Sequence, residues 1–321
     1  MTNYLVSGAA GFIGSRVSEM LIDQGNSVVG VDNLNDAYDI RMKEYRLRKL
    51  QALPRFNFQK IDISDRTVVK TLPEVEAVIN LAARAGVRAS VLDPWIFYET
   101  NVNGALNLLE LCRQRKIQKF IQASTSSIYG ADAPLPTPET ADSEHPLQPY
   151  AASKKAAEVL CHAYHALYGL DVSVVRYFTV YGPAGRPDMS MFRFAKWILE
   201  GSPVQLYGDG EQSRGFTFLD DIARGTIAAL RPLGYEIINL GGHEVITMNA
   251  LIGKLEDQLG RKAIIQRHPA NLADMLTNQA DITKARRLLD WEPQVGLHEG
   301  LRRLVDWYVN EHEWAESIAT A

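Results

Sequence analysis

The chain has 321 residues, with 34 Lys and Arg against 38 Asp and Glu, for a formal net charge of −4 at pH 7. At 46% hydrophobic and 22% charged it holds enough apolar material for a full core, which excludes disordered and fibrous architectures, and a prior of about 150 residues per domain allows roughly two domains. Mild acidity without a sustained Lys/Arg run argues against nucleic acid or an anionic membrane as the main partner. No apolar stretch reaches the ~18 residues that span a bilayer, and Met1-Thr2-Asn3-Tyr4 opens no basic segment ahead of an apolar one, so a cytoplasmic protein is expected. Cys112 and Cys161 both fall in helix-like sequence and read as small buried hydrophobes, with no disulfide framework.

In chain order, short β-branched runs at Tyr4–Ser7, Ser27–Asp32, Phe56–Asp62, Ala77–Ala83, Lys119–Ser124 and Val172–Tyr177 alternate with helical spacing at Gly11–Gly25, Arg41–Leu50, Trp95–Arg115 and Tyr150–Tyr168. Near-continuous apolar strands, each returning through a helix, predict a doubly wound, Rossmann-like α/β domain with a parallel sheet covered on both faces. After Tyr177 the alternation stops. Gly and Pro cluster at Gly182-Pro183, Gly185-Arg186-Pro187 and Gly208-Asp209-Gly210, and helical stretches at Met248–Leu259 and Ile282–Leu289 have few strands between them. A smaller, mostly helical C-terminal substrate domain is expected there. Glu236–Leu240 reads as one more strand of the large sheet, so residues 1–177 plus about 217–242 are expected to form the dinucleotide-binding domain and about 178–216 plus 243–321 the second one.

Gly8-Ala9-Ala10-Gly11-Phe12-Ile13-Gly14 follows the first strand and opens the first helix, the context in which such glycines bind a dinucleotide. Gly8 makes the tight turn, Gly11 admits a pyrophosphate to the backbone, and Gly14 lets helix pack on strand, while the helix N-terminus offers amides to phosphate. Asp32 ends the second strand, where a carboxylate accepts from a ribose and repels a 2′-phosphate. NAD is therefore expected over NADP.

Tyr150 and Lys154 form a Tyr-x-x-x-Lys pair on one face of a helix that starts near Pro149. A tyrosine hydroxyl is a poor base unless a nearby cation stabilises its phenolate, and a lysine ammonium provides one. Ser124-Thr125-Ser126-Ser127 ends the fifth strand at the carboxyl edge of the sheet, where ligands of this architecture bind. His162 and His165 are too isolated to suggest a metal, and none is expected. The basic stretch Arg41–Lys49 reads as a solvated helix face.

The combination Gly8-x-x-Gly11-x-x-Gly14, Thr125 and Tyr150-x-x-x-Lys154 resembles the extended short-chain dehydrogenase/reductase superfamily. Asp32-Asn33-Leu34-Asn35-Asp36, Ala85-Gly86-Val87-Arg88 and Arg176-Tyr177-Phe178-Thr179-Val180-Tyr181-Gly182-Pro183 running into Gly185-Arg186-Pro187-Asp188-Met189 look like its UDP-glucuronate 4-epimerase branch. Ala37 and Ala273-Asp274-Met275 depart from the usual pattern of that branch. The resemblance implies catalysis by Tyr150, Lys154 and Thr125 through a transient 4-keto sugar. It implies a cofactor site formed by Gly8, Gly11, Phe12, Ile13 and Gly14, by Asp32, Asn33, Asp62 and Ile63, by Leu81, Ala82 and Ala83, and by Asn101, Tyr150, Lys154 and Tyr177. Ser126, Ser127, Thr179, Arg186, Arg88, Arg214 and Asp274 are expected on the nucleotide sugar. Arg214 is the candidate for its diphosphate, and Arg186 with Thr179 and the two serines for its carboxylate. Related dehydratases and decarboxylases carry a carboxylic acid where this chain has Ser126 or Ser127, so elimination lacks its acid and base. Alternatives at this stage are a neutral-sugar UDP-glucose 4-epimerase and a non-catalytic dinucleotide sensor. A homodimer through the Trp95–Arg115 and Tyr150–Tyr168 helices is implied.

Overall fold

In the computed structural model, residues 1–242, 244–270 and 276–320 are described. The first half supplies six parallel strands: β1 (Asn3–Ser7), β2 (Ser27–Asp32), β3 (Phe56–Lys60), β4 (Ala77–Asn80), β5 (Lys119–Thr125) and β6 (Asp171–Tyr177). Beyond Tyr177 come β7 (Thr179–Tyr181), β8 (Val204–Tyr207), β9 (Ser213–Phe218), β10 (Tyr235–Leu240), β11 (Glu244–Thr247) and β12 (Ile265–His268). The large sheet runs β10-β6-β5-β4-β1-β2-β3, so the stretch expected at Glu236–Leu240 does join it, beside β6. The other short strands form a β11-β9-β7 sheet and a β12-β8 pair among the helices of the later region.

Side chains alternate across the large sheet as a pleated strand requires. Val6, Val28, Ile79, Ile121 and Val175 enter one core, and their neighbours Leu5, Val29, Val78, Phe120 and Val174 enter the other. Both faces are therefore dry, which is why these strands are near-continuous runs of apolar residues. Helix α1 (Phe12–Asp23) contributes Val17, Leu21 and Ile22 to the first core, while the Gly104–Arg115 helix contributes Leu108, Leu109 and Cys112 to the second. The stretch expected as one helix over Trp95–Arg115 is divided into Pro94–Tyr98, a wide turn at Glu99–Asn103 and Gly104–Arg115. A third core, built on Phe194, Phe216, Leu251 and Leu301, fills the later region.

Helix α2 (Ile40–Gln51) corrects the reading of Arg41–Lys49 as a solvated face. Arg41, Arg48 and Lys49 are exposed, but Lys43 and Arg46 are buried, with Met42, Tyr45 and Leu47. The chain's C-terminal segment lies on this helix: Trp314 stacks on Tyr45 at 4.7 Å, and Arg41 Nη2 donates to the Ser317 carbonyl at 2.6 Å.

The Pro149–Tyr168 helix is fixed to the sheet by a buried ion pair. Arg176 on β6 donates to both oxygens of Glu158 at 3.0 and 2.7 Å and to the Tyr129 hydroxyl at 2.9 Å. Removing one partner of such a pair leaves a buried charge uncompensated, whereas replacing both with apolar groups does not. Arg176→Met should therefore lose about 3–5 kcal/mol of stability in urea unfolding, and adding Glu158→Leu should restore most of it. Equal losses in the single and double variants would rule this account out.

Candidate active site

The order of the large sheet reverses at β1, which has β2 on one side and β4 on the other, and such a reversal opens a crevice at the carboxyl ends of the strands. A cavity of about 770 Å³ occupies it. The turn after β1 forms its floor. Gly8 has φ +71°, and a Cβ there would lie 2.8 Å from the Ala82 backbone; a Cβ on Gly14 would lie 2.1 Å from the Gly8 carbonyl oxygen. Only hydrogen fits at either position, so the backbone amides at the start of α1 stay open to the crevice. Phe12, Ile13, Leu81, Ala82, Ala83 and Ile63 line the same space.

Asp32 ends β2 and is buried. Its Oδ1 accepts from the Leu34 amide at 2.8 Å and from Lys43 Nζ at 3.3 Å. Asn33 Nδ2 donates to Asp62 at 2.8 Å. Burial pushes the Asp62 carboxyl up, but hydrogen bonds from Ser64 and Asn33, with nearby Arg84, outweigh it and leave the group below its ordinary range. Two carboxyl groups thus stand side by side at the ends of β2 and β3, Asp32 beside Lys43 and Asp62 beside Asn33.

Across the cavity, Thr125 is the last residue of β5 and lies in register with Tyr177 on β6. Its hydroxyl donates to Ser127 Oγ at 3.2 Å and also hydrogen-bonds the Tyr150 phenol. Burial raises the Tyr150 pKa, while the Thr125 bond and the charge of Arg186 pull against the rise. Lys154 is one helical turn on, with Nζ donating to the Ala123 carbonyl at 2.9 Å, and burial pulls its ammonium down to about 8 against the field of Glu158. The cation that acts on the phenol in this arrangement is Arg186, a residue the spacing argument had not connected with it.

Arg186 lies in the loop after Gly182 and donates to both oxygens of Asp188 at 3.0 and 2.5 Å, with Nη2 3.3 Å from the Ala85 carbonyl. Thr179, Ser126, Ser127, Tyr177, Arg88 and Arg214 line the same cavity, Arg88 with its guanidinium 4.4 Å from the centre of the Tyr207 ring. Arg214 Nη1 donates to the Ser213 carbonyl at 2.8 Å. Asp274 lies outside the described residues. Asn101 does not line the cavity. It is buried behind it, accepting from the Arg84 amide at 2.9 Å and donating to the Arg84 carbonyl and to Ser153 Oγ, which holds the loop after β4 against the Pro149–Tyr168 helix.

Sequence reasoning missed Tyr38, Lys43, Arg193, Tyr207 and Asn278, all of which line the cavity. For Lys43 a signal existed: Leu47 and Leu50 follow it at i+4 and i+7, one and two helical turns on, so it falls on the apolar side of α2. For the others the chain offered no pattern.

Residues 4–241 match the model of the NAD dependent epimerase/dehydratase family. The UDP-glucuronate 4-epimerase of Thermodesulfobacterium geofontis is 54% identical over 322 residues, with 99% of each chain covered. The Bacillus cereus UDP-glucuronic acid 4-epimerase, solved with UDP-glucuronic acid and NAD, superposes with a TM-score of 0.91 at 37% identity, covering 96% of this chain and 99% of that one. The Thermotoga maritima UDP-glucose 4-epimerase, solved with UDP-glucose, gives 0.90 at 34% identity over 97% and 99% of the two chains. On the glycine turn, the paired tyrosine and lysine, and a match that runs from β1 through β10, the chain belongs to the NAD dependent epimerase/dehydratase family.

Proposed function

We infer that this chain is an NAD-dependent isomerase that inverts C4 of UDP-glucuronate to give UDP-galacturonate through a transient 4-keto sugar. The observation that carries the reading is the make-up of the wall beside Thr125. It presents the hydroxyls of Ser126, Ser127 and Thr179 and the guanidinium of Arg186, with Asp188, the acid beside them, bound to Arg186. Donors suited to a sugar carboxylate are present, and among the described residues no carboxyl acid and base of the kind water loss requires directly follow Thr125.

The residues fit the cofactor: the glycine turn that only hydrogen can fill would take the pyrophosphate, and Asp32, Asn33 and Asp62 the adenosine end. Bound NAD supplies a reversible acceptor for the C4 hydride. Tyr150 takes the proton of the sugar 4-hydroxyl and later returns it, with Thr125 sharing it at hydrogen-bond distance. Lys154 and Arg186 supply the positive field that an ionised phenol needs in a buried site. The nucleotide stays anchored while the keto sugar turns its other face, an anchoring we assign to Arg214 and Arg88.

We propose that residues 1–177 plus about 217–242 act as the cofactor-binding domain and about 178–216 plus 243–321 as the nucleotide-sugar domain, the cavity lying between them. A homodimer is proposed through the Trp95–Arg115 and Tyr150–Tyr168 segments, because Trp95, Val159, Leu167 and Tyr168 there are more than half exposed. Light scattering should return twice the chain mass; a monomer would remove this assignment. A cytoplasmic location is proposed on the two buried free cysteines, and no helix among the described residues is long and apolar enough to cross a membrane.

The direct test is to incubate the purified protein with UDP-glucuronate and, separately, with UDP-glucose, and to resolve the products: UDP-galacturonate is expected from the first, and conversion of UDP-glucose alone would overturn the reading. Tyr150→Phe should lose about 10²–10⁴ in turnover while keeping NAD. Because the reaction uses the deprotonated phenol, kcat/KM should rise with pH in the unaltered enzyme. Lys154→Ala, which removes a cation and so raises the Tyr150 pKa further, should move that rise to higher pH. An unmoved profile would take Lys154 out of the proton transfer.

Asp32→Ala should do more than weaken NAD binding. It leaves Lys43 buried without its carboxylate, next to the position of a 2′-phosphate, so the preference for NAD over NADP should fall by roughly tenfold or more, the worth of charge-assisted hydrogen bonds. An unchanged preference in cofactor-binding titrations would show that Asp32 does not set it.

A further inference from the structure

We propose that Asn278 is a specificity-determining residue for the sugar. Resting on the reaction assigned above, it fixes the Ser126 hydroxyl as a donor toward the sugar carboxylate. Asn278 lines the cavity, is 7% exposed, and donates through Nδ2 to Ser126 Oγ at 2.9 Å. That is the one side-chain hydrogen bond of Ser126 among the described residues. A serine hydroxyl has one proton to give, and its acceptor side is engaged by the amide, so the proton is left for the cavity. The Asn278 Oδ1 is buried with no hydrogen-bond partner. A buried amide oxygen in that condition costs free energy until a donor reaches it.

The side chain is held in place from both sides through its backbone. The Gly215 amide of β9 donates to the Asn278 carbonyl at 2.7 Å, and the next residue, Gln279, accepts from the Thr137 amide at 2.8 Å. These bonds tie the backbone of Asn278 and Gln279 to the small sheet and to the loop that follows β5, which keeps the Asn278 Cα beside Ser126. The Asn278–Ser126 pair thus turns one O–H donor toward the cavity. A carboxylate only accepts hydrogen bonds, so that donor matches a sugar acid. A primary alcohol at C6 would satisfy Ser126 without the charge assistance.

Asn278→Asp tests this, because the introduced carboxylate turns the Ser126 proton onto itself and sets a negative charge beside the sugar acid. The KM for UDP-glucuronate should rise roughly tenfold to hundredfold, the worth of a hydrogen bond to a charged group, with kcat falling less. The dissociation constant of UDP, which has no sugar acid, should stay unchanged. Asn278→Thr, whose hydroxyl can still donate to Ser126, should restore most of the KM. Should Asn278→Asp not fold, Asn278→Leu removes both groups without adding charge and should raise the same KM by roughly tenfold. An unchanged KM for UDP-glucuronate, or a KM that rises in step with the UDP dissociation constant, overturns the proposal while leaving the reaction standing. Absence of UDP-glucuronate turnover in the unaltered enzyme takes both with it.

Discussion

Every strand of the large sheet points the same way, so each connection must carry the chain back beneath the sheet, and all the carboxyl ends collect along one edge. The rest of the molecule follows from that constraint. Burial of both faces selects the apolar strands, and Ser7, Asp32, Asn80 and Thr125 stand at the carboxyl ends of β1, β2, β4 and β5. The reversal of strand order at β1 then parts two neighbouring connections at this edge, and the glycine turn and the loop after β4 face each other across the gap. The 2.8 Å from a Cβ built on Gly8 to the Ala82 backbone measures how closely they do so.

A crevice of this kind needs its walls kept in register, and α2 supplies a link that composition alone does not suggest. Arg46, 4% exposed, donates to the Ala184 carbonyl at 2.7 Å, the Gly185 carbonyl at 3.0 Å, the Ala10 carbonyl at 3.3 Å and the Tyr38 hydroxyl at 2.8 Å. One guanidinium thereby joins the glycine turn of the cofactor side to the loop that carries Arg186 on the substrate side. Ala184 holds φ +52°, a left-handed conformation that costs a residue with a Cβ roughly 1 kcal/mol, and two hydrogen bonds from Arg46 to its carbonyl oxygen offset that cost. Three backbone carbonyls and a phenol oxygen also satisfy a charge that would otherwise be expensive to bury.

What was legible in the sequence was whatever local chemistry decides. The glycine turn is constrained over seven residues, Tyr150 and Lys154 share a helix face by spacing, and the sheet is written in runs whose apolar character needs no tertiary information. The strand at Tyr235–Leu240 was found for the same reason, although its neighbour β6 lies far away in sequence. What was not legible depends on approach from a distance. Lys43 and Arg46 read as members of a basic surface helix because their partners, Asp32 on β2 and the 184–185 loop, are brought to them only by folding. Asn101 was expected at the cofactor only because the family resemblance implies it; the fold sets its amide against the Arg84 backbone. Asn278 stands in a segment without periodicity, and only its backbone bond to β9 and that of Gln279 to Thr137 bring it to Ser126.

The ion pair between Arg186 and Asp188 sets the electrostatics of the site as a whole. Arg186 is the cation that lowers the Tyr150 phenol against the effect of burial, and its guanidinium also holds a carboxylate at two points. A guanidinium has five N–H donors in one plane, so it can keep Asp188 and still present donors elsewhere, which a lysine ammonium at this position does less well. A sugar acid entering beside Ser126 and Thr179 would bring a second negative charge toward the same cation. That charge would weaken the pull of Arg186 on the phenol. The two cations near this end of the cavity are held differently: Arg186 is shared with the Asp188 carboxylate, and Lys154 is fixed to the Ala123 carbonyl.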